Sequence, residues 1–194
     1  MTPDVNVVIS HSEYTVLVVD DVVSNVLLLK VLLTNEKFKV ITAGNGKKAL
    51  SQAVNARPDL ILLDVMMPEM NGFEVAERLK ADPETQHIPI IFLTALNTTA
   101  DIVKGFKVGA NDFISKPFNK EELVIRVTHQ ISLIAAKRII MKQTEELRKI
   151  IMGRDKLYSV IAHDLRSPMG SIKMVLNMLI PVSYTHLTLP TNRE

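Results

Sequence analysis

The chain contains no cysteine among its 194 residues, which rules out disulfides and thiolate metal sites. Its charge has no dominant sign: 23 basic and 21 acidic residues leave a net +2, so composition gives no case for nucleic-acid binding, whose footprint is a basic patch or stripe. No apolar run approaches the roughly 18 residues that a membrane span needs. The longest candidates, around 60–67 and 174–182, are short or interrupted. Residues 1–12 lack the basic start of a signal peptide. No G-x-G-x-x-G or P-loop follows any apolar segment, which weighs against a nucleotide-binding enzyme, and Asp64 does not open a D-x-D pattern. What is abundant is apolar: 47 % of the residues, ample for a packed core. These absences together predict a cytoplasmic chain with no membrane and no nucleic-acid partner.

The apolar residues fall into short continuous runs separated by helical patterns. Runs at 15–20, 38–43, 59–64, 88–94 and 112–115 read as buried strands. Helical spacing occupies 24–36 (with Ser24 or Asp21 as cap), 47–56, 73–81, 98–108 and everything from Asn119 onward, with Gly109 placed to end the fourth helix. Five strands alternating with five helices predict a flavodoxin-like α/β fold, a doubly wound five-stranded parallel sheet with a long C-terminal helical extension. In such a sheet function belongs at the carboxyl ends of the strands.

Those ends carry a definite chemistry. The first run ends in Asp20 and Asp21, the third in Asp64 and the fourth in Thr94, while Lys116 follows the fifth. Three carboxylates at one edge repel unless a cation neutralises them. Oxygen-only ligands select a hard ion such as Mg2+, which takes one or two carboxylates plus phosphate oxygens. A carboxylate, Mg2+, a hydroxyl donor and a lysine make up the parts for phosphoryl transfer to an aspartate. Each residue alone has a blander explanation: an aspartate after a strand is often a helix cap, and Lys-Pro is often only a turn. It is their order at successive strand ends that points to a site.

The segments VLVVDD at 16–21, LILLDVMMPEMNG at 60–72, IIFLTA at 90–95 and FISKPF at 113–118 resemble the two-component response-regulator receiver family over about 120 residues. The resemblance implies Asp64 as phosphoacceptor. It implies a Mg2+ site of Asp20, Asp21, Asp64 and the Met66 backbone carbonyl, with Thr94 and Lys116 on the phosphoryl group and Ala95 leaving it access. It also implies a cis Lys116–Pro117 bond and a switch in which Thr94 moves towards Asp64 and Phe113 shifts inward. Met66 and Leu96 stand where the family tunes hydrolysis; both are bulky, so slow dephosphorylation is expected. The phosphodonor would be a sensor kinase or a phosphotransfer protein.

The last helical pattern does not stop with the sheet. Apolar residues continue through Ile139 and Ile140, and from Leu147 they recur at Ile151, Tyr158, Ile161 and Leu165 in an imperfect alternation of four and three, with Arg154 interrupting. A lone helix of this length needs a partner, which predicts a parallel homodimer; folding back on the chain's own receiver is the alternative. HDLRSP at 163–168 resembles the H-box of the histidine-kinase dimerisation and phosphotransfer domain. That implies His163 as histidine phosphoacceptor, Asp164 taking its other ring proton, and a kink at Pro168. The ATP-binding boxes of that family are absent, so the chain as written is not expected to phosphorylate His163 in cis, and its parent is expected to be a hybrid histidine kinase cut short. VSYTHLTLPTNRE at 182–194 resembles read-through of a sequencing-adapter end; this or a disordered tail is expected there. The expected organisation is therefore an N-terminal tail at 1–13, a receiver at 14–134, a coiled-coil linker at 135–153, a phosphoacceptor helix at 154–181 and an extraneous tail at 182–194. A standalone response regulator or adaptor that works by binding and dimerising is the competing reading.

Overall fold

A computed structural model describes residues 10–95 and 99–184 of the chain. Five strands, β1 (Thr15–Val19), β2 (Lys39–Ala43), β3 (Leu60–Asp64), β4 (Ile90–Thr94) and β5 (Asp112–Ser115), form one parallel sheet in the order β2-β1-β3-β4-β5. The reversal of order falls between β1 and β3, so the carboxyl ends of these two strands flank the crevice where doubly wound sheets place their sites. Helices α1 (Val23–Asn35), α2 (Gly46–Ala56), α3 (Gly72–Ala81), α4 (Thr99–Val108) and α5 (Lys120–Tyr184) follow the strands in turn.

Alternation along the strands divides the apolar residues between two cores, one on each face of the sheet. Leu17, Val19, Ile61, Leu63, Ile90 and Phe92 point to the face covered by α2, α3 and α4, where Ala53, Val75 and Leu79 are buried. Val16, Val18, Leu60, Leu62, Ile91 and Leu93 point to the other, covered by Leu29 and Leu33 of α1 and by Leu123, Val127 and Ile131 of α5. β3 is buried along its whole length, as a central parallel strand must be.

The local signals hold with small shifts. β4 begins at Ile90 rather than 88 because Pro89 has no N–H for the ladder, and the Ile90 amide is taken by the Asn111 side chain at 3.0 Å. α1 begins at Val23, and neither Ser24 nor Asp21 caps it. Its N-cap is Val22, whose amide donates to Asp20 Oδ1 at 2.8 Å. Asn119 does cap α5, accepting the Glu122 amide at 3.1 Å, and Gly109 turns at φ 101° after α4. The Lys116–Pro117 bond is cis.

One compact unit ends at Arg138 and a second begins at Ile139. In the first, Ala135 of α5 is buried, and Arg138 pairs with Asp59 while lying over the Tyr14 ring. Asp59 also accepts the Thr15 amide at 2.7 Å, so the last turn of α5 in this unit is tied to the starts of β1 and β3. In the second unit the helix continues unbroken through Pro168. Leu147, Ile151, Tyr158, Ile161 and Leu165 are all exposed there. The helix runs to Tyr184, and the rest of the expected tail lies outside the described residues. No helix among the described residues is long and apolar enough to cross a membrane.

Candidate functional site

The ends of β1, β3 and β5 converge on one cluster. Asp20 leaves β1 wholly buried, and its carboxylate is held from three sides. Oδ1 accepts from the Val22 amide at 2.8 Å, the Asn25 amide group reaches both oxygens at 3.2 and 3.1 Å, and the Lys116 ammonium donates to Oδ2 at 2.8 Å. Asp64 closes β3, also buried. Its Oδ1 accepts the Met66 amide at 3.2 Å and its Oδ2 lies 2.7 Å from Lys116 Nζ. Asp21 is the exposed member, and carboxylate oxygens of Asp20, Asp21 and Asp64 lie within 4.8 Å of one another. Thr94 is buried at the end of β4 in register with Ser115, and its carbonyl takes the Lys116 amide at 2.9 Å. The fold thereby brings Asp20, Asp21, Asp64, Lys116 and Thr94 to one edge, with exposed Met66 and Ala95 beside them. Leu96 lies outside the described residues.

Sequence reasoning missed Asn25. It sits one turn into α1, five residues after Asp20, where its pattern is simply that of a polar helix residue. Only the fold of the β1–α1 loop shows it fixing the Asp20 carboxylate.

Electrostatics make the cluster unusual. Burial pushes the Asp64 carboxyl above its ordinary 3.8; the Lys116 ammonium and the Met66 amide offset this only in part. Burial also works against the Lys116 charge, but hydrogen bonds to Asp20 and Asp64 outweigh it and hold its pKa above the usual lysine value. Three carboxylates against one ammonium leave two negative charges on a patch whose donors are all oxygen. That donor set fits a divalent hard cation.

A raised carboxyl pKa has a defined sign in folding. The folded state holds its proton to higher pH than the unfolded chain, so Asp64 withdraws stability as pH rises from about 3.8 through its raised value. In metal-free buffer Asp64→Asn is therefore expected to raise Tm by a few degrees near pH 7, and the gain should vanish towards pH 3.5. Thermal unfolding of both proteins across this range checks it; a gain that stays constant or grows in acid contradicts it.

Phe113 of β5 is half-buried on the α4 side, its ring 5.6 Å from Phe92 and 4.8 Å from Phe106. His163 and Asp164 lie in the second unit, both exposed, with Nδ1 and Oδ1 3.3 Å apart.

The family model of the response regulator receiver domain matches residues 16–128. The response regulator PleD of Caulobacter vibrioides is 46 % identical over 134 residues, 69 % of this chain and 28 % of PleD. The DNA-binding response regulator MtrA of Mycobacterium tuberculosis is 46 % identical over 112 residues, 58 % of this chain and 48 % of MtrA. The chain thus spans less than half the length of either relative. Among solved structures, the Vibrio cholerae chemotaxis protein CheY4 superposes with a TM-score of 0.58 at 34 % identity, over 60 % of this chain and 97 % of that one. The signal receiver domain of a Syntrophus aciditrophicus signal transduction histidine kinase does so with a TM-score of 0.58 at 35 % identity, over 61 % and 90 %.

Proposed function

The chain belongs to the response-regulator receiver family, and on that premise we propose that Asp64 is its phosphoacceptor, served by a Mg2+ held on Asp20, Asp21, Asp64 and the Met66 carbonyl. The observation that carries this reading is the pairing of Asp64 with Lys116 at 2.7 Å inside an all-oxygen acidic cluster. An Asp64 oxygen attacks the phosphorus of a phosphohistidine or of acetyl phosphate. The new O–P bond forms as the bond to the donor's nitrogen or oxygen breaks, and the donor leaves with that electron pair. Lys116 neutralises one phosphoryl oxygen as a point charge, and the Thr94 hydroxyl donates to another. The divalent ion, when bound, supplies the charge neutralisation that lets an anionic donor approach three carboxylates. The charge on Asp64 is then read by Thr94 and Phe113.

The donor is a sensor kinase or phosphotransfer protein, and the setting is cytoplasmic, without membrane or nucleic-acid contact. The second unit extends the reading. HDLRSP supports His163 as a histidine phosphoacceptor oriented by Asp164, in a helix of residues 154–181 joined to the receiver by a coiled-coil linker of residues 135–153. The exposed seam of Leu147, Ile151, Tyr158, Ile161 and Leu165 supports a parallel homodimer. The receiver then regulates an attached histidine-kinase module. A standalone regulator acting by dimerisation and protein binding is the second reading. It is favoured by PleD and MtrA, which are response regulators.

Incubation of the full chain with labelled acetyl phosphate tests the metal-dependent site. Label is expected in Mg2+, on an alkali-labile acyl phosphate that mass spectrometry places at Asp64, and is expected to fall by about tenfold or more in EDTA. Equal label with and without the metal would refute the Mg2+ site.

A further inference from the structure

Gly105 lies in the middle of α4 with an ordinary helical backbone, so no unusual φ angle calls for glycine there. Glycine is a poor helix residue, and its value must come from what it leaves out. A Cβ built at Gly105 would stand 2.4 Å from Phe113 Cζ, 2.7 Å from Phe113 Cε1 and 3.3 Å from Phe92 Cδ2. Real Cβ atoms do not approach ring carbons that closely. The Phe113 ring edge therefore occupies the space that a side chain at 105 would take. The other walls are aromatic: Phe106 meets the ring edge-on at an interplanar angle of 72°, and Phe92 lies tilted at 38° and is wholly buried. Phe92 is fixed in turn by Phe73 at 5.2 Å. Phe113 has no hydroxyl, so shape alone decides where its ring rests.

We propose that Gly105 is a positioning residue: by carrying no side chain it gives α4 a notch that seats the Phe113 ring, and this seat is the inward position that phosphorylation makes dominant. The proposal rests on the reading of Asp64 and of the Thr94–Phe113 switch given above, and goes beyond it by naming the surface that receives the ring. A methyl group at 105 would overlap Phe113 Cζ and Cε1 and press on the buried Phe92 at 3.3 Å, so the Phe113 ring must move. If phosphorylation draws Phe113 inward, closing the seat weakens binding of a phosphoryl mimic, because coupling between two sites is reciprocal.

A double-mutant cycle on the full chain tests this with Gly105→Ala, Phe113→Ala and both together. Two measurements are made on each protein: thermal unfolding, and calorimetric titration with beryllofluoride in Mg2+. In the wild-type background Gly105→Ala is expected to lower Tm and to weaken beryllofluoride about 5- to 30-fold. In the Phe113→Ala background, with the ring gone, it is expected to raise Tm, as alanine does in a helix, and to change the affinity less than about twofold. An affinity loss that persists without the ring overturns the proposal. So does a fall in Tm with unchanged affinity, which would make the contact mere packing. Should Gly105→Ala fail to fold alone, a folded double variant supports the seat and an unfolded one refutes it. Absence of binding heat with the wild-type chain would instead overturn the reading of Asp64, and the thermal cycle would still judge the seat.

Discussion

Asp64→Asn is expected to abolish labelling by acetyl phosphate in Mg2+, by at least about a hundredfold, well inside the roughly millionfold loss an enzyme can suffer with its nucleophile. The choice of acceptor among three aspartates follows from their surroundings. Asp20 accepts from the Val22 amide, the Asn25 amide group and Lys116, so both its oxygens are engaged and it is buried beneath the site. Asp21 is exposed, and among the described residues no shell of surrounding protein holds its carboxylate in one place for attack. Asp64 is held by one backbone amide and one ammonium, and burial makes it more basic than an ordinary carboxylate. Asparagine keeps the shape and can still accept the Met66 amide, but it has no anionic oxygen to attack phosphorus. The same variant is expected to be more stable than the wild type near neutral pH in the absence of metal. Loss of labelling together with a raised Tm separates a missing nucleophile from a damaged fold. Label retained at the wild-type rate, on Asp21 or elsewhere, would end the assignment.

How much of this was legible in the sequence depends on the range of the interaction. The strands could be read because continuous apolar runs such as LILLD have only one comfortable place, the middle of a parallel sheet. The convergence of Asp20, Asp21, Asp64, Thr94 and Lys116 followed from the parallel sheet, whose strands all end on one edge. The β1–α1 loop was not legible. Val22 as an N-cap breaks the usual preference: it has no side-chain oxygen for the first-turn amides, and its own amide is held by Asp20 from two residues earlier. Asn25 and Gly105 escaped notice for the same reason. Each matters through a side chain on another element, Asp20 in one case and Phe113 in the other, and local spacing carries no trace of either contact. The exposed apolar seam after Ile139 was legible as a pattern, because a period of three and four needs no knowledge of what it packs against.

Gly72 is a third such position, and its replacement by alanine is expected to destabilise the protein by about 3 kcal/mol, lowering Tm by roughly 10 °C. Gly72 is the first residue of α3, capped by Asn71, and its amide donates to the Val65 carbonyl at 2.9 Å. A Cβ there would lie 2.3 Å from the Asp64 carbonyl oxygen, 2.8 Å from Val65 Cα and 3.0 Å from the Asp64 carbonyl carbon. All three neighbours are backbone, at the acceptor and the residue that follows it, and none can rotate aside as a side-chain end would. Relief requires moving either α3 or the end of β3, and both are packed into the same core by Phe73, Val75 and Leu63. Gly170→Ala supplies the control. Among the described residues nothing lies within 4 Å of the position a Cβ would take at Gly170, so alanine there should only improve the helix, by about 1 kcal/mol. Opposite signs for the same substitution at two helical glycines would show that the close approach to Asp64, rather than helix propensity, sets the result. Because the clash falls on the Asp64 backbone itself, whatever Gly72→Ala protein remains folded should also label more slowly with acetyl phosphate. A variant as stable and as fast as the wild type would mean that α3 does not press on the acceptor strand as the structure has it.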